Sequence, residues 1–223
     1  MKKILTRGGI ELIAVALGIT LSLWVDDKRE LNIIDKNNVK TLQSIKNEVR
    51  LRIDYIERKI NQYQRDIEVG EYVIKNWTDI DFDSITSKTK NDRSIVLTLK
   101  AYRAINLPVS IYNSLNSDGS IAKLDQDSIK VILNNLYEVF PAHIVDGVEN
   151  ERVLYHSFNE FIINNYPRIV EDGVGELEKN DYKKFFNDDI VLGYVLEKTH
   201  IRRFILRLIT NYHNRLINFE GML

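Results

Sequence analysis

The chain has 223 residues, of which 44% are hydrophobic and 28% charged, and its formal net charge is -1. These proportions are ordinary for a folded protein and argue against an intrinsically disordered chain. A nearly neutral chain has no excess of positive charge to attract nucleic acid, so no nucleic-acid partner is expected. The sequence has no cysteine, which excludes disulfides and thiolate metal sites. Its 3 prolines and 10 glycines are few enough to favour long helices over a turn-rich sheet protein.

The most apolar stretch of the chain is residues 8–25, with the sequence GGIELIAVALGITLSLWV. A helix needs roughly 20 apolar residues to cross the hydrocarbon core of a bilayer. The uncharged run 12–25 is shorter than this, but Arg7 and Glu11 are spaced to pair near the membrane surface. Trp24 lies at the other end, where aromatic residues favour the interface between lipid and water. The sequence therefore predicts an N-terminal membrane anchor over residues 1–25, with Trp24 as its interface anchor.

Two other interpretations of this stretch are a cleaved signal peptide and a buried core helix. The residues after the apolar run, LSLWVDD, offer no small-residue cleavage site. Lys2, Lys3 and Arg7 precede the run, and positive charges favour the cytoplasmic side. We therefore expect a single-pass protein of the cytoplasmic membrane, with its N-terminus in the cytoplasm and its helical domain outside.

Small residues recur at four-residue intervals within the predicted anchor, at Ala14, Gly18 and Ser22. Such spacing lets two helices approach closely in lipid, and Glu11 falls on much the same face. The pattern predicts a homo-oligomer whose membrane helices pack through Glu11, Ala14, Gly18 and Ser22. The alternative is that the small residues are ordinary for a membrane helix and that Glu11 simply reaches the headgroups.

Residues 26–77 are expected to form one long amphipathic helix. Apolar residues recur every three or four positions and so define a single stripe along a helix. The charged residues between them, including Glu48, Arg52 and Asp66, are expected on its solvent surface. The stripe suits either a coiled coil between chains or packing within one chain, and its width favours packing within one chain. The stripe consists of Leu42, Ile45, Val49, Ile53, Ile56, Ile60, Tyr63, Ile67, Gly70, Ile74 and Trp77, and only Gly70 interrupts it.

The predicted fold class is all-α: a transmembrane helix that continues into the long amphipathic helix, packed with later helices as an antiparallel bundle. Prolines at 108, 141 and 167 are expected to end helices, and residues 116–120 to form a turn. The final helix is long enough to be the antiparallel partner of the first. The bundle domain, 26–223, is divided into helix 26–77, connector 78–93, and helices 94–106, 108–116, 125–140, 145–166 and 188–219.

The sequence lacks the motifs that indicate a catalytic or metal-binding site. Asp79, Asp81 and Asp83 imitate the start of a calcium loop, but the glycine and final glutamate that such a loop needs are missing. The four histidines have no metal-ligand spacing, and there is no phosphate-binding loop or nucleophile elbow. Arg202, with its basic neighbours on the last helix, is expected on a solvated face. We therefore expect no enzyme activity, no cofactor and no metal.

Two motifs resemble a family of uncharacterised bacterial membrane proteins, known only as a domain of unknown function. The resemblance implies a single-pass helical protein, and it brings no activity, substrate or catalytic residue. Members of that family usually have a longer N-terminus and a tryptophan a few residues later than Trp24. The first motif consists of Glu11, Gly18, Ile19 and Leu23, and the second of Tyr112, Leu115, Ser117, Gly119, Ile121 and Leu124, followed by Leu133 and Tyr137.

Three functions are compatible with these features. The first is a membrane-anchored helical interaction or scaffold protein with the bilayer and a further protein as partners. The second is a ligand-sensing domain that signals through its anchor. The third is an oligomeric ion-conducting element that uses Glu11 as a titratable group.

Overall fold

The computed structural model describes residues 2–81, 95–170 and 179–223, with side chains throughout except at 2–16, 31, 170 and 179–181. All regular secondary structure in these ranges is helical, which confirms the all-α class for the described part of the chain. Residues 82–93 of the predicted connector lie outside it. The helices are α1 (Lys2–Lys75), α2 (Ile95–Lys100), α3 (Ser110–Ser117), α4 (Asp127–Asn134), a π-helical segment (Asn135–Val139), α5 (Phe140–Asn165), α6 (Pro167–Val170), α7 (Lys179–Phe185) and α8 (Asp189–Met222).

Helix α1 is continuous over 74 residues, from the predicted anchor through most of the predicted amphipathic helix. No proline occurs within it. Gly70 does not interrupt it, and a Cβ added at Gly70 would clash with Thr199 Oγ1 of α8. The glycine thus allows a close approach of the two helices, which offsets its low helix propensity.

Helices α1 and α8 are the principal pair and run in opposite directions. Arg50 of α1 forms an ion pair with Glu220 near the end of α8. Glu71, further along α1, forms an ion pair with Arg203, which is nearer the start of α8. Helix α5 packs against α8 as well.

Two apolar clusters lie along the α1–α8 pair. The first surrounds residues 45–63 of α1 and includes α3, α4 and the second half of α8. The second surrounds Val69 and Val73 and includes α2, Phe158 of α5, α7 and the start of α8. Burying a large apolar side chain contributes about 1.5–3 kcal/mol, so these clusters are the main source of stability.

The first part of α1 has no such cover. Between Leu17 and Lys40 the side chains with described positions are exposed, apart from the half-buried Asn38, and burial begins at Thr41. Ile19 is 57% exposed, so it is not packed among the later helices. In the part of the chain that was described, no helix combines the length and apolarity needed to cross a membrane. The predicted anchor includes the side chains of 2–16, which lie outside that part, and it stays a prediction.

Pro141 does not end a helix, contrary to the prediction. The π-helical segment joins α4 to α5, and Pro141 occupies the first turn of α5. A proline is tolerated in a first turn because its missing N–H group would have no partner within the helix there. The helices predicted over 125–140 and 145–166 are therefore consecutive parts of one helical run from Asp127 to Asn165.

The helix predicted over 94–106 is also shorter than expected. It ends at Lys100, and residues 101–109 have no regular secondary structure. The turn at 116–120 is confirmed: Gly119 has a positive φ of 77°, a conformation that favours glycine. Asp118 Oδ1 closes this turn by accepting a hydrogen bond from the backbone N–H of Ser120.

Candidate functional site

Several charged side chains are almost completely buried in the core. Charged residues are seldom buried unless they are paired, so these side chains are the most unusual feature of the core. They form two groups along α1, and both groups contact the irregular segment 101–109 or the helix that follows it. The buried charged residues are Glu48, Arg52, Asp66, Glu151, Lys198 and Arg202.

The first group, called the Glu151 cluster, joins α1, α5 and α8. Arg202 Nε donates to Glu151 Oε1 at 2.8 Å. Glu151 Oε2 accepts from the Tyr63 hydroxyl at 3.0 Å and from the backbone N–H of Arg103 at 3.2 Å. Lys198 Nζ lies 3.6 Å from Oε1 and donates to the Glu151 carbonyl oxygen at 3.2 Å. Both carboxylate oxygens of Glu151 are therefore engaged.

Asp66 completes this cluster through Arg103. The guanidinium of Arg103 donates to Asp66 Oδ2 at 2.6 Å and to Oδ1 at 2.8 Å, a bidentate pair. Arg202 Nη2 lies 3.8 Å from Asp66 Oδ2. The same nitrogen donates to the carbonyl oxygens of Thr98 and Ala101 at 2.8 and 2.7 Å. Arg202 thereby caps the C-terminal end of α2 through the carbonyl of Thr98 in its last turn and that of Ala101 just after it.

The second group, called the Arg52 cluster, begins with Glu48 of α1. Its carboxylate accepts the backbone N–H groups of Ile111 at 2.7 Å and Tyr112 at 2.9 Å. These are first-turn N–H groups of α3, and Val109 at the N-cap position provides no side-chain cap. Glu48 thus supplies from another helix the negative group that a helix N-terminus favours.

Arg52 is fully buried and contacts three elements. Its Nε donates to the Pro108 carbonyl oxygen at 2.6 Å. Its Nη1 donates to the Leu136 carbonyl oxygen at 3.0 Å and to the Tyr212 hydroxyl at 2.6 Å. The guanidinium carbon lies 3.7 Å from the ring centroid of Tyr137, a cation–π contact. Arg52 therefore links the irregular segment, the π-helical segment and α8.

The Leu136 carbonyl is available because of the local backbone. In the π-helical segment the N–H of Phe140 donates to the carbonyl of Asn135 rather than to that of Leu136. The next backbone nitrogen belongs to Pro141, which has no hydrogen to donate. The Leu136 carbonyl accepts from Arg52 and from the Tyr212 hydroxyl instead, so the π-helical segment and Pro141 together create an acceptor that this buried cation uses.

The backbone of the irregular segment is satisfied largely by side chains of the long helices. Besides the bonds above, Lys59 Nζ donates to the carbonyl oxygen of Ala104 at 2.6 Å. The N–H of Asn106 donates to the Tyr55 hydroxyl at 2.8 Å. A partly buried backbone needs partners for its polar groups, and these side chains take the place of a helix or sheet. The two clusters thus allow residues 101–109 to lie against α1 without regular structure.

Burial also shifts ionisation in these clusters. Burial lowers the pKa of Lys198 to about 8, partly opposed by the negative charge of Glu151. Burial raises the pKa of Tyr63, and the adjacent Glu151 raises it further. Burial likewise raises the pKa of Tyr137. The hydrogen bonds to Asp66 raise the pKa of Arg103. In the Glu151 cluster the acidic and basic groups satisfy one another. Arg52 is held instead by carbonyl, hydroxyl and aromatic groups, and within the described part of the chain its Nη2 has no hydrogen-bond partner. Both arrangements hold the helices together.

A metal site does not emerge from these residues. Within residues 2–81, 95–170 and 179–223, no group of three or more acidic, histidine or cysteine residues is placed to hold a metal ion.

The site residues predicted in the anchor fall at the other end of α1. Glu11 and Ala14 belong to the α1 backbone, but their side chains lie outside the described part. Gly18 and Ser22 are exposed, and a Cβ at Gly18 would meet no atom within 4 Å. Trp24 is 58% exposed, with Lys28 Nζ 5.6 Å from the centroid of its ring. Packing between anchors stays a prediction.

Sequence reasoning missed the buried clusters. Glu48, Arg52 and Asp66 were expected on the surface of α1, and Arg202 on a solvated basic face, but all four are buried. A signal for Arg52 was present, because it lies three residues after Val49 and four before Ile56. An arginine at such a position of an apolar stripe indicates a buried cation that needs acceptors.

Comparison with known proteins gives no relative to guide the assignment: no family model, curated protein or solved structure matches the chain. The resemblance to a family of uncharacterised bacterial membrane proteins accordingly stays a prediction.

Proposed function

We propose that the chain is a membrane-anchored helical interaction or scaffold protein, with residues 1–25 in the cytoplasmic membrane. The observation that carries this proposal is the exposure of the apolar side chains over residues 17–25 of α1. They project from more than one side of a continuous helix, and the folded domain covers none of them. The exposed residues are Leu17, Ile19, Leu21, Leu23, Trp24 and Val25.

The hydrophobic effect favours lipid over water as the surroundings of these apolar side chains. Each large apolar side chain gains roughly 1.5–3 kcal/mol when it leaves water, so six together on one exposed helix are unfavourable in an aqueous medium. Exposed apolar patches of this kind mark contact sites. A one-sided patch would suit a protein groove, whereas apolar side chains on more than one side of the helix suit a bilayer. The preceding residues 8–16 continue the apolar sequence.

The length of α1 between the proposed anchor and the folded domain supports a scaffold role. Residues 26–40 continue the helix before burial begins at Thr41, a length of roughly 22 Å at about 1.5 Å per residue. Such a stalk would hold the domain clear of the headgroups. Most polar atoms of the buried charged residues have partners within the domain, which favours a rigid bundle with an outer interaction surface over an enzyme.

Fractionation tests the proposal directly. Membranes from cells that produce the full chain are washed at alkaline pH without detergent, and the protein is followed in the pellet and supernatant. We expect retention in the pellet, and release of a Leu17→Asp/Leu21→Asp double variant. A Val39→Asp variant is the matched control, since Val39 is exposed on the same helix beyond the proposed anchor. Release of the unaltered chain by the wash would overturn the proposal.

Orientation and self-association form part of the same proposal. We propose a cytoplasmic N-terminus and an external domain, so protease added to intact spheroplasts should degrade residues 41–223. We further propose that anchors pair through Glu11, Ala14, Gly18 and Ser22. Gly18→Leu should then reduce crosslinked dimers in membranes, because a bulky side chain prevents close helix approach. Unchanged crosslinking would remove the pairing.

A further inference from the structure

A polar cleft of about 390 Å³ lies between α1 and the turn that follows α3. Its α1 wall begins just where that helix enters the folded domain, and its other wall is the turn that carries Gly119. Ligand pockets are typically about 300–1,000 Å³ in volume, so the cleft has the size of a small-molecule site. The polar residues that matter here are Lys40, Thr41 and Ser44 on one wall, and Asp118, Ser120 and Lys123 on the other.

The two lysines bring positive charge to the cleft from opposite walls. In the described part of the chain, neither Lys40 nor Lys123 has an ion pair within 4.0 Å. Asp118 is already engaged by its own turn, since its Oδ1 accepts the backbone N–H of Ser120 at 2.8 Å. Hydrogen bonding by Ser120 and, to a smaller extent, the charge of Lys123 lower the pKa of Asp118, so its carboxylate is negative. With Lys40, Lys123 and Asp118 as the charged lining residues, the cleft has a net charge of +1.

The α1 wall adds one hydroxyl group, that of Thr41, which lines the cleft with only 7% of its residue surface exposed. Ser44 lies one turn further along, but its hydroxyl hydrogen is donated to the Lys40 carbonyl oxygen at 3.0 Å, so it is not a donor for an anion. Hydroxyl and ammonium donors that converge on one small volume are the usual recognition groups for phosphate and carboxylate oxygens.

We propose that this cleft binds a small anion carrying a phosphate or carboxylate group, held between Lys40 and Lys123 with Thr41 as a further donor. The bound anion would tie the turn over residues 118–123 to α1. Because α1 continues without a break from residues 17–25 to the cleft, occupancy would stiffen the end of the stalk that joins the folded domain. The binding itself does not depend on the anchor, since no lining residue belongs to residues 1–25.

Equilibrium dialysis of the full-length chain in detergent tests the site, with radiolabelled inorganic phosphate and citrate as separate probes. We expect at least one probe to bind. Lys40→Gln and Lys123→Gln should each weaken that binding about tenfold, the loss typical of one charge-assisted hydrogen bond. Lys130→Gln is the matched control, because Lys130 pairs with Asp127 on α4 and does not line the cleft. Far-UV circular dichroism verifies that each variant keeps its helix content.

Each outcome has a definite meaning. Binding of phosphate alone assigns a phosphate ligand, and binding of citrate alone assigns a carboxylate. Failure of both probes to bind at millimolar concentration would overturn the proposal. Equal binding by the unaltered chain and the two cleft variants would overturn it as well, as would an equal loss in the Lys130 control.

Discussion

Arg202 donates to Glu151 through a 2.8 Å hydrogen bond while both side chains are shielded from solvent, with 1% and 0% of their surface exposed. The bond joins α8 to α5, and the remaining groups of both residues reach α1, α2 and the segment 101–109. A pair buried this deeply is costly to form but more costly to break, because either partner alone is an unpaired charge in the core.

Removing the Glu151 charge should destabilise the fold strongly. Glu151→Gln removes the counter-ion of Lys198 and the nearer of the two counter-ions of Arg202, so we expect the free energy of unfolding to fall by about 3–5 kcal/mol. Chemical denaturation followed by circular dichroism measures this change. Glu149→Gln is the control, since Glu149 pairs with Arg152 on the exposed face of the same helix. An equal shift of the denaturation midpoint in both variants would show that burial does not increase the contribution of the Glu151 pair to stability.

Replacing Arg52 should loosen the junction of the π-helical segment with α1 and α8. Arg52→Met removes the side-chain donor to the Pro108 carbonyl, and it leaves the Leu136 carbonyl with the Tyr212 hydroxyl as its donor. We expect a loss of about 3 kcal/mol, because the Pro108 carbonyl and the Tyr212 hydroxyl both lose a partner in the core. Hydrogen exchange should report faster exchange at residues 135–140. Arg50→Met, two residues away, serves as the comparison, because Arg50 is more than half exposed. Comparable exchange rates in the two variants would contradict the role assigned to Arg52.

Gly70 should tolerate no larger residue while Thr199 is present. Gly70→Ala forces a clash with Thr199 Oγ1, and we expect a loss of about 1–3 kcal/mol. In the Gly70→Ala/Thr199→Ala double variant the loss should be smaller than the sum of the single changes, because the two sites are in contact. Gly193→Ala on α8 meets no atom within 4 Å and should stabilise by about 0.5–1 kcal/mol. Strict additivity at positions 70 and 199 would argue against the close helix approach.

Stability should depend on pH through Lys198. Its folded-state pKa of about 8 lies below the ordinary value of 10.5, so between these values the unfolded chain binds more protons than the folded one. The free energy of unfolding should therefore rise with pH above 8. Tyr63 and Tyr137 have raised pKa values and retain their protons only when folded, so stability should fall again above about pH 10.

Denaturation midpoints at pH 7, 8, 9 and 10 check this profile. Lys198→Met should abolish the rise between pH 8 and 10, and it should leave the fall above pH 10 in place. A variant that keeps the same rise would show that another group is responsible for it.

The sequence was informative where apolar spacing sets the structure. The stripe from Leu42 to Ile74 predicted the folded part of α1, because a three- or four-residue spacing allows little other than a helix. The segment 101–109 was not predictable from local sequence. Its conformation depends on Arg52, Glu151 and Arg202, which lie about 50 to 100 positions away in sequence, and tertiary contacts override local propensity.

Pro141 illustrates the same limit. A proline predicts the end of a helix from its own sequence neighbourhood, yet here it lies in the first turn of α5. The cost of its missing N–H is offset by Arg52, which satisfies the freed carbonyl of Leu136. The charge of Arg52 was visible in the sequence, whereas its burial was evident only once α8 and the π-helical segment were in place.

The most direct test of the account is whether the apolar end of α1 is shielded by lipid. The chain has no cysteine, so Leu21→Cys and Val39→Cys each introduce a single thiol. Both native side chains are well exposed on the same helix, at 60% and 68%. Membranes are treated with a water-soluble maleimide before and after detergent is added. The account predicts that the thiol at position 39 reacts in both conditions and that the thiol at position 21 reacts only in detergent; equal reaction of the two thiols in intact membranes would contradict it.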